Sequence, residues 1–257
     1  MHNALIESAL FIGVMQNLLT SPATGYFAKL STDLAQTGAM LMQIDPSLQS
    51  KADNYKLLTN LVIPRPIAWV TSQSCSGVIN LAPFSFFNAV GADPVYVVIS
   101  VGPNELGQPK DTANNIQATG EFVVNLVTEE LFDAMNVSAA DFPADQSEPD
   151  AAGLQTSPSV RIKVPRVAEA QVSLECRLFS AQPLGTNTLF IGEVVMFHVA
   201  DHLLGPRLHI NNFAPIGRLG SPSVYCRTTD RFDLARITYA QWLKANSSTS
   251  SSCPETD

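Results

Sequence analysis

The sequence predicts a mainly β protein, an antiparallel β-barrel with short helical insertions. Three observations carry that expectation. Six or more runs read as strands while helices are few, which is not the alternating βαβ pattern of a doubly wound sheet. Ala170–Leu178 alternates, with Ala170, Val172, Leu174, Cys176 and Leu178 on one face and Gln171, Ser173, Glu175 and Arg177 on the other, as in a strand with one buried and one polar side. Thr188–Val199 is apolar on both faces and follows a turn at Gly185, so the two segments read as one long hairpin.

Taken in order, Ala9–Leu19 is apolar enough for a short helix or a signal h-region. The stretch before it has no Lys or Arg and does have Glu7, which tells against a secretory signal. Residues 1–41 are therefore expected to be an extension, or sequence upstream of a start at Met42, where the compact pattern begins. Leu61–Thr71 is β-branched, and Pro64 and Pro66 restrict it to an edge, bulge or strand entrance. Ser72–Gly77 is turn chemistry, and Val78–Leu81 resumes an extended run. Val95–Val101 and Glu121–Val127 are short apolar runs of buried-strand type. Asp111–Thr119 opens with a good N-cap and closes at Gly120, and Glu129–Met135 begins with acids that suit a helix N-terminus. Asp141–Ser159, rich in Pro, Asp, Ser and Gly, reads as a long surface loop. A helix remnant is expected after residue 235, and Asn246–Asp257 reads as a disordered tail that leaves Cys253 without a structural role.

Composition narrows the function. Fifteen Lys and Arg against twenty-three Asp and Glu give a net charge of −8, which argues against nucleic acid as the main partner. It leaves room for one small phosphate held by a few local donors. No apolar run reaches the roughly 18–20 residues of a membrane helix. Cys75, Cys176, Cys226 and Cys253 are scattered, without CxxC or Cys/His metal spacing, and read as reduced residues of a cytoplasmic protein. No GxGxxG follows a strand and no GxxxxGK[ST] is present.

Two segments could carry chemistry. Lys110-Asp111-Thr112 opens the first helix, where unsatisfied N–H groups and the positive dipole end attract anions. Lys110 adds a full charge and Thr112 a hydroxyl, a trio suited to a phosphate monoester. The plainer local reading is that Asp111 caps the helix and Lys110 is solvated. Asn80–Asn88 sets Phe84, Phe86 and Phe87 beside Pro83, with Asn80, Ser85 and Asn88 interleaved. Such a stretch offers an apolar wall and polar edge groups for a planar heteroaromatic ligand, or is an irregular strand whose aromatics pack the core. His198 sits at apolar strand spacing and reads as a packed or hydrogen-bonded core residue rather than a catalyst. No catalytic dyad stands out.

In combination, Arg65-Pro66-Ile67-Ala68-Trp69-Val70-Thr71, Asn80–Asn88, Lys110-Asp111-Thr112 with Asn115-Ile116, Glu121–Leu126, Ala134-Met135-Asn136, Pro165–Cys176, Ile191-Gly192-Glu193-Val194 and Pro215–Leu219 resemble the flavin reductase-like, FMN-binding split-barrel family, its flavoredoxin branch in particular. The likeness covers about residues 42–235, in order. It implies a Greek-key split β-barrel, homodimeric, holding one FMN per protomer near the dimer interface. Carried over by position, the family pattern puts Thr71, Asn80, Ala82, Pro83, Phe84 and Ser85 around the ring and ribityl chain. It puts Ser100, Lys110, Asp111 and Thr112 near the phosphate, and Arg218 near the flavin or across the interface. The implied activity is NAD(P)H-dependent flavin reduction, with reduced flavin leaving for a monooxygenase or another acceptor. A flavoredoxin-like carrier with tightly held FMN, or a non-enzymatic flavin-binding protein, would use the same scaffold.

Overall fold

The computed structural model describes residues 41–220 and 222–247. Ala9–Leu19 and the tail from residue 248 onward, Cys253 included, lie outside the described residues. The chain divides into two compact units, the second beginning at Tyr55. In the first, Asp45 accepts from Ser47 N at 2.8 Å and caps a 3-10 turn at Pro46–Leu48. At the start of helix α1, Lys51–Leu61, Ser50 Oγ accepts from Asp53 N at 3.1 Å and donates to Asp53 Oδ2 at 2.7 Å.

The second unit is built on one seven-stranded sheet. Its strands are β1 (Ala68–Gln73), β2 (Ile79–Phe84), β3 (Phe87–Ala92), β4 (Val95–Val101), β5 (Glu121–Leu126), β8 (Val172–Leu184) and β9 (Asn187–Val199). Two short strands, β6 (Thr156–Ser157) and β7 (Arg166–Val167), pair with each other between β5 and β8. The sheet order is β2-β1-β5-β8-β9-β4-β3, and every neighbouring pair is antiparallel. Strands β2 and β3 stand at opposite ends of that order, yet only Ser85 and Phe86 separate them in the chain. The two ends of the sheet must therefore meet, and Ser100 N donates to Phe86 O at 2.8 Å at the join. The sheet is a barrel, split where one bent stave leaves β1 and passes to β4.

Period-two alternation fills its interior. Val70 from β1, Ile99 from β4, Phe122 and Val124 from β5, Leu174 and Cys176 from β8, and Phe190 from β9 form one buried cluster. The β4-to-β5 connection carries helix α2, Asp111–Thr119, which adds Ala113 and Ile116 to that cluster. Odd-numbered residues of β1, β2 and β5 take the opposite face, whereas on β4 it is the odd-numbered Val97, Ile99 and Val101 that point inward. Trp69 and Leu81 join Leu131 and Met135 in a second cluster, roofed by a 3-10 turn at Glu129–Leu131 and helix α3, Phe132–Val137.

Several expectations need correction. Leu61 ends a helix rather than beginning a strand, and β1 starts only at Ala68. Pro64 and Pro66 have no N–H for a ladder, so the passage between them is irregular. The segment 141–159 is not simply a surface loop: it holds helix α4, Glu148–Ala151, whose Glu148 and Pro149 are buried. The polar face of β8 is polar but not solvated, since Ser173 and Glu175 are fully buried under the segment 159–167. Asn246 and Ser247 belong to helix α5, Tyr239–Ser247, rather than to the tail. The hairpin of β8 and β9 is as expected, turning through Gly185 at φ 60°.

Candidate functional site

Helix α2 begins as the sequence suggests, with one change of role. Lys110, not Asp111, is the N-cap: its backbone is extended and its side chain makes no capping bond. Ala113 N and Asn114 N both donate to Lys110 O, at 2.9 and 3.1 Å, which leaves the N–H groups of Asp111 and Thr112 with no acceptor within the helix. Asn115 Nδ2 donates to Ser72 Oγ at 3.2 Å and ties the helix to β1. Gly120 closes it in the left-handed region at φ 72°.

The α2 N-terminus opens into a cavity of about 320 Å³, walled by Asn80 and Ala82 of β2, Lys110–Thr112, the segment from Ser138 to Phe142, and Glu148. Asn80 and Thr112 touch at 2.8 Å. Of the two orientations of the Asn80 amide, one satisfies both ends: its oxygen accepts from Thr112 Oγ1 at 2.8 Å and Leu81 N at 3.2 Å, and its nitrogen donates to Glu148 Oε1 at 3.3 Å. Glu148 Oε2 also accepts from Leu81 N at 3.0 Å. Burial, aided by the nearby Asp111 charge, holds the Glu148 carboxyl above the ordinary carboxylate range, against bonds from its own N–H and that of Leu81. Lys110 Nζ lies 2.9 Å from Asp141 Oδ1.

A second cavity, of about 220 Å³, adjoins the first, and Ala139 lines both. Its walls include Pro83, Phe84 and Ser85, together with Arg65, Arg218 and Tyr225. Arg218 lies over the Tyr225 ring at 4.5 Å and donates to its hydroxyl. Arg65 is buried; it donates to the carbonyls of Thr59 at 2.5 Å, Val62 at 2.7 Å and Leu219 at 2.7 Å, and to Ser85 Oγ at 3.3 Å. Trp69 Nε1 donates to Ser138 Oγ at 2.8 Å, so the buried indole anchors the segment that walls both cavities.

The structure therefore gathers Asn80, Ala82, Lys110, Asp111 and Thr112 around one cavity and Pro83, Phe84 and Ser85 around its neighbour. Thr71 and Ser100 line neither. Thr71 Oγ1 accepts from Asn125 Nδ2 at 2.7 Å inside a buried network, and Ser100 Oγ accepts from Asn187 Nδ2 at 3.0 Å. Phe86 turns toward Tyr55, at 6.4 Å between ring centroids, and Phe87 packs on the barrel core, so only Phe84 of the three joins a cavity wall. Sequence reasoning missed Glu148, Asp141, Arg65 as a cavity residue, and Tyr225. For Glu148 a signal existed: Ser147-Glu148-Pro149 is a helix start, with Ser at the cap and Pro in the first turn.

The family model for the flavin reductase like domain matches residues 60–231. Nitrilotriacetate monooxygenase component B from Bacillus cereus is 41% identical, with a TM-score of 0.73 over 77% of this chain and all of its own. The 2-nitrobenzoate 2-nitroreductase of Pseudomonas fluorescens is 37% identical, with a TM-score of 0.70 over 77% of this chain and 98% of its own. Flavoredoxin of Desulfovibrio vulgaris shares the fold at 15% identity, with a TM-score of 0.62 over 76% of this chain and 97% of its own.

Proposed function

The chain belongs to the flavin reductase like domain family, and from that premise we propose that it is an FMN-dependent oxidoreductase taking hydride from NADH or NADPH. The observation that carries this reading is the pair of adjoining cavities strung along β2, one at a helix N-terminus with a lysine and the other walled by Pro83–Ser85. The residues fit the group. Lys110 and the N–H groups of Asp111 and Thr112 would take the phosphate, with the Thr112 hydroxyl beside them. The edge of β2 would run along the ribityl chain and ring: Pro83 has no N–H, and Leu81 N–H is already bound to Glu148. Thr71 would act through Asn125, by fixing β1 behind that edge. Ser100 would belong to the phosphate end only through a rearrangement or a second protomer.

Bound FMN supplies the redox chemistry, accepting two electrons from nicotinamide and passing them on. The protein's part is to hold the ring and leave one face open. We read the likeness to a monooxygenase component as support for a partner monooxygenase that consumes reduced flavin. The reading includes a homodimer, as the resemblance implies, and a reducing cytoplasm, with which free thiols at Cys75, Cys176 and Cys226 agree.

The test is the visible spectrum of purified protein before and after anaerobic NADH or NADPH. Flavin bands that bleach with nicotinamide and wash out on dialysis support the reductase. Colour that survives dialysis marks a flavoredoxin-like carrier, and bands unmoved by nicotinamide exclude the proposed donor. No flavin bound, even on adding FMN, refutes the whole reading. For the phosphate end, Lys110→Ala is expected to weaken FMN about ten-fold, the loss of one charge-assisted contact.

A further inference from the structure

In the cavity proposed for the phosphate, the lysine is already paired with a carboxylate. Lys110 Nζ and Asp141 Oδ1 are 2.9 Å apart, and both side chains line the cavity. Among the lining residues Glu105, Asp111, Asp141 and Glu148 are acids, against Lys110 as the one base. A phosphate dianion arriving at Lys110 would meet the Asp141 carboxylate on the same ammonium. The pair is partly solvated, with side-chain exposures of 33% and 53%, so its separation costs little. Asp141 also follows the segment 138–140, whose Ala139 faces both cavities.

We propose that Asp141 is a built-in competitor for the flavin phosphate: it holds the Lys110 ammonium when flavin is away and lowers FMN affinity when flavin is present. The inference rests on the FMN reading above and deepens it, because a flavin that must leave as product cannot be held tightly. Asp141 thereby biases this scaffold toward release rather than retention. Flavins without a phosphate do not feel the competition.

Dissociation constants from quenching of flavin fluorescence test this on the full chain, with FMN and riboflavin as probes. Asp141→Asn, which keeps the side-chain shape on a solvated loop, is expected to tighten FMN about two- to five-fold, the worth of an exposed ion pair. Riboflavin affinity stays unchanged, and the gain vanishes in a Lys110→Ala background. FMN binding that is unaltered or weaker in Asp141→Asn overturns the proposal. So does a gain that extends to riboflavin or survives without Lys110. If instead Lys110→Ala alone leaves FMN affinity untouched, it is the phosphate placement that fails, and the competition falls with it.

Discussion

The backbone N–H of Leu81 in β2 donates to Glu148 Oε2 at 3.0 Å, across 67 positions of sequence, and this bond fastens α4 to the strand that edges both cavities. Glu148→Ala would leave that N–H with only its longer bond to the Asn80 oxygen and would orphan the buried Asn80 amide nitrogen, at a cost of about 1–3 kcal/mol. Glu148→Gln keeps an acceptor and should lose less. The pH dependence has a definite sign. Because the folded carboxyl is held above its ordinary value, the unfolded chain ionises first as pH rises past 4.5, and folding stability declines from there until the folded group also ionises. Urea midpoints over a pH series should show that decline flattened in Glu148→Gln; an identical slope in both proteins would contradict it.

On the far side of the barrel, Glu175 gives the opposite sign. Burial raises its pKa, but His198 Nε2 at 2.5 Å and the N–H groups of Val160 and Arg161, both at 2.7 Å, outweigh that and hold it below the ordinary range. A depressed carboxyl contributes stability that is present above pH 4.5 and is lost as pH falls through the folded value. Glu175→Ala leaves two partly buried N–H groups and His198 without their acceptor, so about 3 kcal/mol should be lost at neutral pH. Thermal melts of Glu175→Gln against wild type at pH 7 and below 4.5 should converge in acid. Parallel curves would show that the carboxylate charge contributes nothing.

These two acids also mark what could be read from the sequence and what could not. The strands Val95–Val101 and Glu121–Leu126, the β8–β9 hairpin and helix Asp111–Thr119 announce themselves through local period and punctuation, which the tertiary structure only confirms. Helix α1 had a legible start in the Ser50 cap with Asp53 three residues on, but its weak amphipathic pattern hid it. Glu175 looked solvent-facing because alternation tells which face a residue takes, not whether another segment covers that face. Glu148 and Asp141 sit in a Pro- and Asp-rich stretch whose composition says loop, and only long-range packing brings them to Asn80 and Lys110. Barrel closure is legible in neither β2 nor β3 alone: it follows from both lying within one bent stave.

Inside the barrel, Gly192 of the Ile-Gly-Glu-Val segment faces Phe122 across the interior. A Cβ there would fall 2.4 Å from Phe122 Cζ and 2.9 Å from Cε1, with Cys176 Cβ at 3.3 Å. Because Phe122 is fully buried and the interior is close-packed, the ring has little room to retreat. Gly192→Ala should therefore destabilise by about 1–3 kcal/mol through overpacking. The double change Gly192→Ala with Phe122→Leu should recover part of the loss in denaturant midpoints. A single variant as stable as wild type would mean that the β8–β9 face yields more easily than its packing implies.

Arg65 belongs to the same segment as Trp69, yet its work is mechanical. Its guanidinium joins the carbonyls of Thr59 and Val62 to that of Leu219, 154 positions away, and reaches Ser85 Oγ at the end of β2. Burial, with Arg218 adding to it, lowers its pKa from the usual arginine value, while Tyr55 opposes this. Lysine cannot replace this fork, since one ammonium on a flexible stem cannot face carbonyls on both sides of the cavity at once. Arg65→Met removes the buried charge but strands three carbonyls, at about 3 kcal/mol or more. Arg65→Lys should fall between that variant and wild type in thermal stability. Hydrogen exchange separates this role from a general loss of stability: amides at 84–87 and 217–219 should exchange faster in Arg65→Met while those of β8 and β9 keep their order of protection. Uniform acceleration across the barrel would mean that Arg65 supports the whole fold rather than the join between β2 and β10, Gly217–Arg218.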